Sequence, residues 1–427
     1  MDHTSKLVDN IVIENFKSIE KLELSLGRLN VFIGENGAGK SNVIEAIAFA
    51  AAAAAAKTDN EFLTARGIRV SRPSLMRSAF DVEGRPKDIK FKINYGSTEA
   101  NRPEVKYQLS NDDGPYSDWR VTEESELKMT FETLKDIIEP FLEQVRRKES
   151  NGENFTDKES SDLEFLTKFV VSLQDQLSSF QRPEDSTKTI KFQLEHQMPT
   201  SFFKEADSWK HSLGRFVIYS PENSALRSLQ PEGQIVPLGI NGEGLLSFLG
   251  ILAKAKDQSA FKVIKSALSL FRWFSDLSID PKNSKQPLKL RDRFMNSEEV
   301  WLDQRSANEG FLFAAFYFSL FASDLTPKFF AIDNIDASLN PRLCQELTKR
   351  IAHLAKQNGK QAILTTHNPA ILDGLDLKDP EQRLFIVSRD RKGRTRVRRY
   401  SKTDVNERTR LSELFIGGLL GGIPKGF

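Results

Sequence analysis

The chain has 427 residues, room for about two or three domains or for one large domain carrying insertions. Its 39% hydrophobic and 28% charged residues describe an ordinary globular composition, and Lys+Arg 61 against Asp+Glu 59 leaves a net charge of +2, too balanced to mark a nucleic-acid binder by charge alone. The single cysteine, Cys344, excludes a disulfide framework and a cysteine-rich metal site and fits a reducing cytoplasm, and the five histidines have no metal-ligand spacing. Residues 1–10 are polar and lack the apolar segment of a secretory signal. The apolar run Ala46 to Ala56 spans eleven residues, too short to cross a bilayer. The expectation is a cytoplasmic protein with no membrane association. The 31 phenylalanines point to a Phe-rich core.

Ile11–Phe16 and the alternating Lys21–Leu26 read as strands, and the apolar Leu29–Ile33 is a third strand running into a glycine loop. Alanine-rich Asn42–Ala56 follows as a helix. Ile89–Tyr95 and Val105–Leu109 carry further β signals. From Leu127 the pattern changes. Leu127, Phe131, Leu134, Ile138, Phe141 and Val145 recur at spacings of four and three, as do Leu163, Leu166, Val170, Leu173, Leu177 and Phe180. Polar Arg146–Asp162, with Asn151-Gly152, separates the two stripes. They form either an antiparallel helical hairpin inserted into the domain or two amphipathic helices packed on its body. Pro140 interrupts the first stripe.

Phe216–Tyr219 returns to strand, and Glu243–Ala255 and Phe261–Phe274 read as helices. Asn308–Ser323 is an aromatic helix apolar on every face, as a buried helix is. Lys328–Ile332 and Gln361–Thr365 are apolar strands on either side of the helix Pro341–Gln357, and Arg383–Val387 and Arg394–Tyr400 are β again. Strands alternating with helices around apolar strands indicate an α/β layered fold. No repeat of a 20- to 50-residue unit is visible.

Gly34 to Ser41 reads Gly-Glu-Asn-Gly-Ala-Gly-Lys-Ser, a full match to G-x-x-x-x-G-K-[ST] between an apolar strand and a helix. Glycines let the N–H groups of Asn36, Gly37, Ala38 and Gly39 converge on phosphates, and the helix start adds its positive dipole end. Lys40 supplies a charge to the β- and γ-phosphates and Ser41 a hydroxyl for Mg²⁺. Phe329–Ile332 then delivers Asp333, a carboxylate at the end of a second apolar strand, suited to holding that Mg²⁺, usually through water. Thr365-Thr366-His367-Asn368 closes a third such strand, where His367 can reach a γ-phosphate. ATP and Mg²⁺ are the expected cofactors.

In this order the motifs resemble the ABC-type ATPases of the RecF-like, SMC-like and OLD-like group. Ile11-Val12-Ile13-Glu14-Asn15-Phe16-Lys17-Ser18 is similar to that group's first strand, Asp333 to its Walker B aspartate, Ile335–Leu339 to its D-loop and His367 to its switch histidine. Asn308-Glu309-Gly310, 25 residues ahead of Asp333, resembles the signature motif. The resemblance covers roughly 1–100 and 215–400 and is loose between motifs. It implies an ATPase head, a phosphate-loop NTPase with a mostly parallel central sheet, an antiparallel β subdomain and an inserted helical hairpin. The expected division is 1–115 and 213–400 for the two parts of the head, 116–212 for the insertion and 401–427 for an apolar, glycine-rich docking tail. The resemblance also implies two heads sandwiching two ATP molecules, each phosphate loop facing the partner's signature segment.

Two positions depart from the family. Asn308 stands where serine is usual, and its amide can still donate to a phosphate. Asn334 stands where a glutamate usually polarises the attacking water, and an amide is no general base. Slow hydrolysis and long-lived ATP-bound dimers are therefore expected unless Glu309 or Asp336 substitutes. OLD-like relatives often carry a C-terminal TOPRIM nuclease. The 60 residues after His367 are too few for one, so a nuclease or toxin effector is expected on a separate chain.

Arg389, Arg391, Lys392, Arg394, Arg396, Arg398, Arg399 and Lys402 form a basic hairpin turning at Lys392-Gly393. It is either a nucleic-acid contact or an edge strand protected by charge. Leu411–Pro424 is apolar and must be covered by its own body or by a partner. The expected function is an ATP-binding sensor, dimeric or of higher order, controlling a separate effector in antiviral (anti-phage) defence. The alternatives are a RecF-like DNA repair ATPase that clamps DNA and an ATP-bound scaffold without turnover.

Overall fold

The structure is a computed structural model. It describes residues 8–80, 88–95, 104–114, 117–129, 188–194, 212–228, 237–279, 288–296, 300–401 and 409–420, with a few residues between 143 and 160. Two six-stranded sheets enclose one helix. The first is antiparallel, in the order β2-β1-β4-β5-β6-β7, from β1 (Val8–Phe16), β2 (Ile19–Ser25), β4 (Ile89–Tyr95), β5 (Glu104–Ser110), β6 (Arg120–Met129) and β7 (Lys188–Leu194). The second runs β14-β13-β3-β12-β11-β8, from β3 (Leu29–Gly34), β8 (Ile218–Tyr219), β11 (Phe329–Ile332), β12 (Gln361–Thr366), β13 (Gln382–Arg389) and β14 (Thr395–Tyr400). Every pairing in it is parallel except that of β13 with the edge strand β14. The hairpin β9 (Phe274–Ile279) and β10 (Leu288–Asp292) stands apart from both sheets.

The central strands read as continuous apolar runs because both faces are covered, as parallel sheets require. Along β3, Val31 and Ile33 enter one core and Phe32 enters the other. Helix α1 (Lys40–Ala54) fills the space between the two sheets, and every residue of it except Ser41 and Asn42 is buried. Alanine suits that position: it is the best helix former, and its small side chain lets two sheets approach one helix. Phe49 is its one large ring, packed against Phe16, Phe91 and Trp119 with centroids 5.8, 6.2 and 5.3 Å away.

The opposite face of the central sheet is covered by α2 (Leu245–Lys254), α3 (Ser259–Ala267), α4 (Glu309–Ala322) and α5 (Pro341–Gln357). Helix α4 is buried from Gly310 through Ala322, as its all-round apolar sequence predicts. Its rings reach the sheet through Phe316 on Tyr219 at 5.6 Å and Phe321 on Phe330 at 5.0 Å.

The antiparallel sheet extends past the expected boundary of the insertion. Leu127, the first residue of the first stripe, lies in β6 opposite Ile190 of β7. Leu127 and Met129 fit a period of two as well as a helical spacing, and the open edge of β5 supplies backbone partners that an isolated helix would not have. The remaining stripe positions lie outside the described residues. Of the polar segment between the stripes, Arg146, Arg147, Lys148, Ser150, Asn151 and Ser160 are helical.

The predicted helix Phe261–Phe274 is also divided. It ends at Ala267, makes a 3-10 turn over Leu268–Leu270, and Phe274 opens β9. The turn brings Phe271, Trp273 and Phe274 against Phe311 of α4, with centroids 5.2–5.4 Å apart. Burying three rings on one outweighs continuing the helix. Near the C-terminus, α6 (Leu411–Ile416) docks on the chain's own body. Ser412 bonds twice to Asp373, and Leu414 and Leu420 are buried while Ile416 and Leu419 stay exposed. Among the described residues no helix is long and apolar enough to cross a membrane.

Candidate functional site

Parallel pairing of β3, β11 and β12 brings Gly34, Ile332 and Thr366 to one edge of the central sheet, so the three loops that follow converge there. The phosphate loop begins at Gly34, where a Cβ would overlap the Val387 carbonyl of the neighbouring strand. Gly37 has φ +75° with open space around its missing Cβ. Gly39 has φ +106° and caps α1, and a Cβ on it would overlap the Thr395 hydroxyl. Both φ values are unfavourable for any residue with a Cβ.

Lys40 is buried, and its ammonium donates to the Gly34 and Glu35 carbonyls at 2.8 and 2.9 Å. Burial lowers its pKa to about 8 against the opposing pull of Asp333 and Asp336. The ring of His367 lies 3.4 Å from this ammonium through Nδ1. With Lys40 as donor, the imidazole proton is on Nε2. Burial first, and the Lys40 charge second, lower the His367 pKa below its ordinary value. The ring is therefore neutral at pH 7.

The Ser41 hydroxyl donates to one oxygen of Asp333 at 3.2 Å, and the Thr365 hydroxyl donates to the other. Thr365 Oγ1 also accepts the Asn334 N–H at 2.9 Å, which fixes Asn334 in the left-handed region at φ 53°. Ser41 and Asp333 thus place two hard oxygen donors side by side at the start of α1. That pair fits Mg²⁺, which keeps water and phosphate oxygens for its other positions.

Asn308 caps α4, its side-chain oxygen accepting the Phe311 N–H at 3.2 Å. Glu309 accepts from Ser338. A Cβ on Gly310 would stand 2.8 Å from the Ser338 carbonyl. Asn308–Gly310 is therefore packed on the segment that follows Asp333 in its own chain. The phosphate loop, Asp333, Asn334 and His367 come together, whereas Asn308–Gly310 packs on the segment after them, at Ser338 and Leu339.

Further residues join the site in roles that the motifs do not assign to them. Thr365 and Thr366 are fully buried hydroxyls at the end of β12. Ser18, Asn42 and Thr395 form a chain of side-chain hydrogen bonds, 2.6 Å from Asn42 to Ser18 and 2.7 Å between Ser18 and Thr395, and Thr395 reaches the Ala38 carbonyl at 3.1 Å. Arg389 Nε donates to the Gly37 carbonyl at 2.7 Å. The one available sequence signal was hydroxyl residues ending apolar strands. The partners come from distant segments.

The basic hairpin turns at Gly393, with φ +78°. Its strand β14 is the sheet's edge, and Arg394 and Arg396 pair with Asp390, Arg394 also with Glu20. The ion pairs engage two of the eight basic residues, Arg394 and Arg396, within the chain itself.

A phosphate loop and a strand-end aspartate at one edge of a mixed sheet, with a histidine beside the loop lysine and an antiparallel sheet packed over α1, define an ABC-type ATPase head of the RecF-like and SMC-like kind. The chain belongs to the family described as "AAA domain, putative AbiEii toxin, Type IV TA system", whose model matches residues 29–373. It is 42% identical over 55 residues to the DNA replication and repair protein RecF of Listeria welshimeri, covering 13% of this chain and 15% of that one. It is 44% identical over 55 residues to RecF of Bacillus thuringiensis, with the same coverage. The chain thus matches 15% of the length of these curated relatives. The solved SMC head bound to the C-winged helix domain of ScpA superposes with TM-score 0.50 at 15% identity, over 93% of this chain and 98% of that one. That likeness concerns the fold.

Proposed function

We propose that this chain is an ATP-binding, slowly hydrolysing switch that dimerises around ATP and controls a separately encoded effector in anti-phage defence. The observation that carries it is Asn334. It occupies the position after Asp333, exposed, with its backbone pinned by Thr365, and it offers an amide where hydrolysis needs a base.

The N–H groups from Asn36 to Ser41 and the Lys40 ammonium hold the phosphates, and the neutral His367 lies beside them to orient the γ-phosphate. Mg²⁺ on Ser41 and Asp333 neutralises charge on the phosphate oxygens when bound. Asn308, exposed at the N-terminus of α4, presents its amide to the phosphate loop of a second copy. Such binding stabilises the dimer by mass action, and release waits on hydrolysis. The family's description, putative AbiEii toxin of a type IV TA system, supports a place in a system of more than one component.

Phosphate release and sedimentation velocity, with and without ATP and Mg²⁺, test this reading. The expected outcome is an ATP-dependent dimer turning over below about one per second, under the enzyme median of about ten. Turnover of many per second, or a sedimentation coefficient indifferent to ATP, contradicts it.

Binding should also depend on pH. Lys40 has a pKa of about 8 in the free protein, and polyphosphate favours its charged form. Above that pH, binding takes up a proton, so affinity falls by up to about tenfold per pH unit. Dissociation constants of a fluorescent ATP analogue that match at pH 7 and pH 9 would remove Lys40 from the phosphate contact.

The RecF relatives favour a second reading, a DNA-clamping repair ATPase. It predicts ATP-dependent duplex retention in filter binding that weakens steeply with salt. Ion pairing within the basic hairpin disfavours it.

A further inference from the structure

Two consecutive threonines end β12, and each holds one carboxylate of the segment after β11. Thr365 donates to Asp333 and accepts the Asn334 N–H at 2.9 Å. Thr366 donates to Asp336 at 2.6 Å and accepts the Asn368 N–H at 3.0 Å. Neighbours on a strand face opposite ways, so the two hydroxyls serve opposite faces of the sheet. Asp333 lies with the phosphate loop. Asp336 reaches toward α4 and α5, where burial first and its charge second raise the pKa values of Tyr317 and Cys344, and the same charge also acts to raise those of Lys40 and His367.

We infer that Asp336 and Thr366 are positioning residues for His367. The inference rests on the reading that His367 meets the γ-phosphate. A hydroxyl has one proton, and the Asp336 carboxylate takes it. The lone pairs are then left for the Asn368 N–H. One buried oxygen therefore fixes the backbone on both sides of His367. Asn368 is held again by its own side chain, whose oxygen accepts the Ala370 N–H at 3.0 Å. Among the described residues, the His367 side chain has one hydrogen bond, the 3.4 Å contact with Lys40. Its ring is thus aimed from beneath, by the backbone, and the Asp336–Thr366 bond sets that backbone. A charge-assisted hydrogen bond in a buried setting is the strong kind and tolerates little displacement.

The test uses two pairs of variants in the full chain. Thr366→Val keeps the volume and loses the hydroxyl, and Thr366→Ser keeps it. Asp336→Ala removes the acceptor, and Asp336→Asn retains an oxygen that can accept. Thr366→Val and Asp336→Ala are expected to lower turnover about tenfold, and Thr366→Val to leave the dissociation constant of a fluorescent ATP analogue within about twofold of the parent, because it removes no charge from the surroundings of Lys40. Thr366→Ser and Asp336→Asn should retain most of the rate. The His367 imidazole signal, assigned in a carbon–proton correlation spectrum through His367→Gln, should move in Thr366→Val and stay in Thr366→Ser. Equal rates in Thr366→Val and the parent, or equal losses in Thr366→Ser and Thr366→Val, overturn the inference. If the parent hydrolyses nothing, the functional reading fails, and the spectrum still decides: an unmoved His367 signal in Thr366→Val overturns the inference by itself.

Discussion

Asn334→Glu is expected to raise steady-state ATP turnover by about a hundredfold, the lower end of what a positioned general base supplies. The position is prepared for it. Asp333 directly precedes it, the backbone N–H is held by Thr365 at 2.9 Å, and the side chain projects to the exposed surface with no bond to break. The cost lies in the backbone. Asn334 has φ 53°, a region asparagine enters readily and glutamate less so. That strain should appear as a loss of about 1 kcal/mol in urea unfolding, beside the gain in rate. Phosphate-release assays check the rate. Turnover equal to the parent's would mean that the base is elsewhere or that another step limits the cycle. The two carboxylates that could replace it are already engaged, Glu309 by Ser338 and Asp336 by Thr366.

Lys40→Ala should abolish nucleotide binding while sparing the fold. The ammonium is buried, and that burial lowers its pKa to about 8. Its charged form is thus disfavoured in the folded protein at pH 7, a cost that is complete below about pH 8 and fades as pH rises toward the unfolded value. Alanine removes that cost along with the two bonds to the Gly34 and Glu35 carbonyls. The ligand-free melting temperature should therefore stay level or rise. The nucleotide response should vanish. A parent at a hundred times its dissociation constant gains about 2.7 kcal/mol of stability from ATP. The variant should gain none in the same thermal scan. A melting temperature that still climbs with ATP in Lys40→Ala would take the lysine out of the site.

Much of this was legible in the residues. Gly34–Ser41 carries its chemistry within eight neighbours in sequence, and strand and helix flank it as the motif requires. Asp333 and His367 were legible for a similar reason: each ends a short apolar run that can only be a buried strand. The first heptad stripe was misjudged at its start because Leu127 fits two periods, and only the waiting edge of β5 decides between them. The helix expected through Phe274 failed because its competitor, the ring of Phe311, lies in another element.

The sequence by itself determined the nucleotide motifs, the alternation that makes an α/β core and the amide that follows Asp333, because each is a property of adjacent residues or of local periodicity. Only the tertiary structure decided which polar groups hold those motifs in place. Thr365 on Asp333, Thr366 on Asp336, Ser338 on Glu309 and Arg389 on the phosphate loop all join segments about thirty or more residues apart. A hydrogen bond between such segments has no period and no spacing to read. Those of Thr365 and Thr366 exist because parallel strands bring their ends to one edge, where a buried hydroxyl needs a partner.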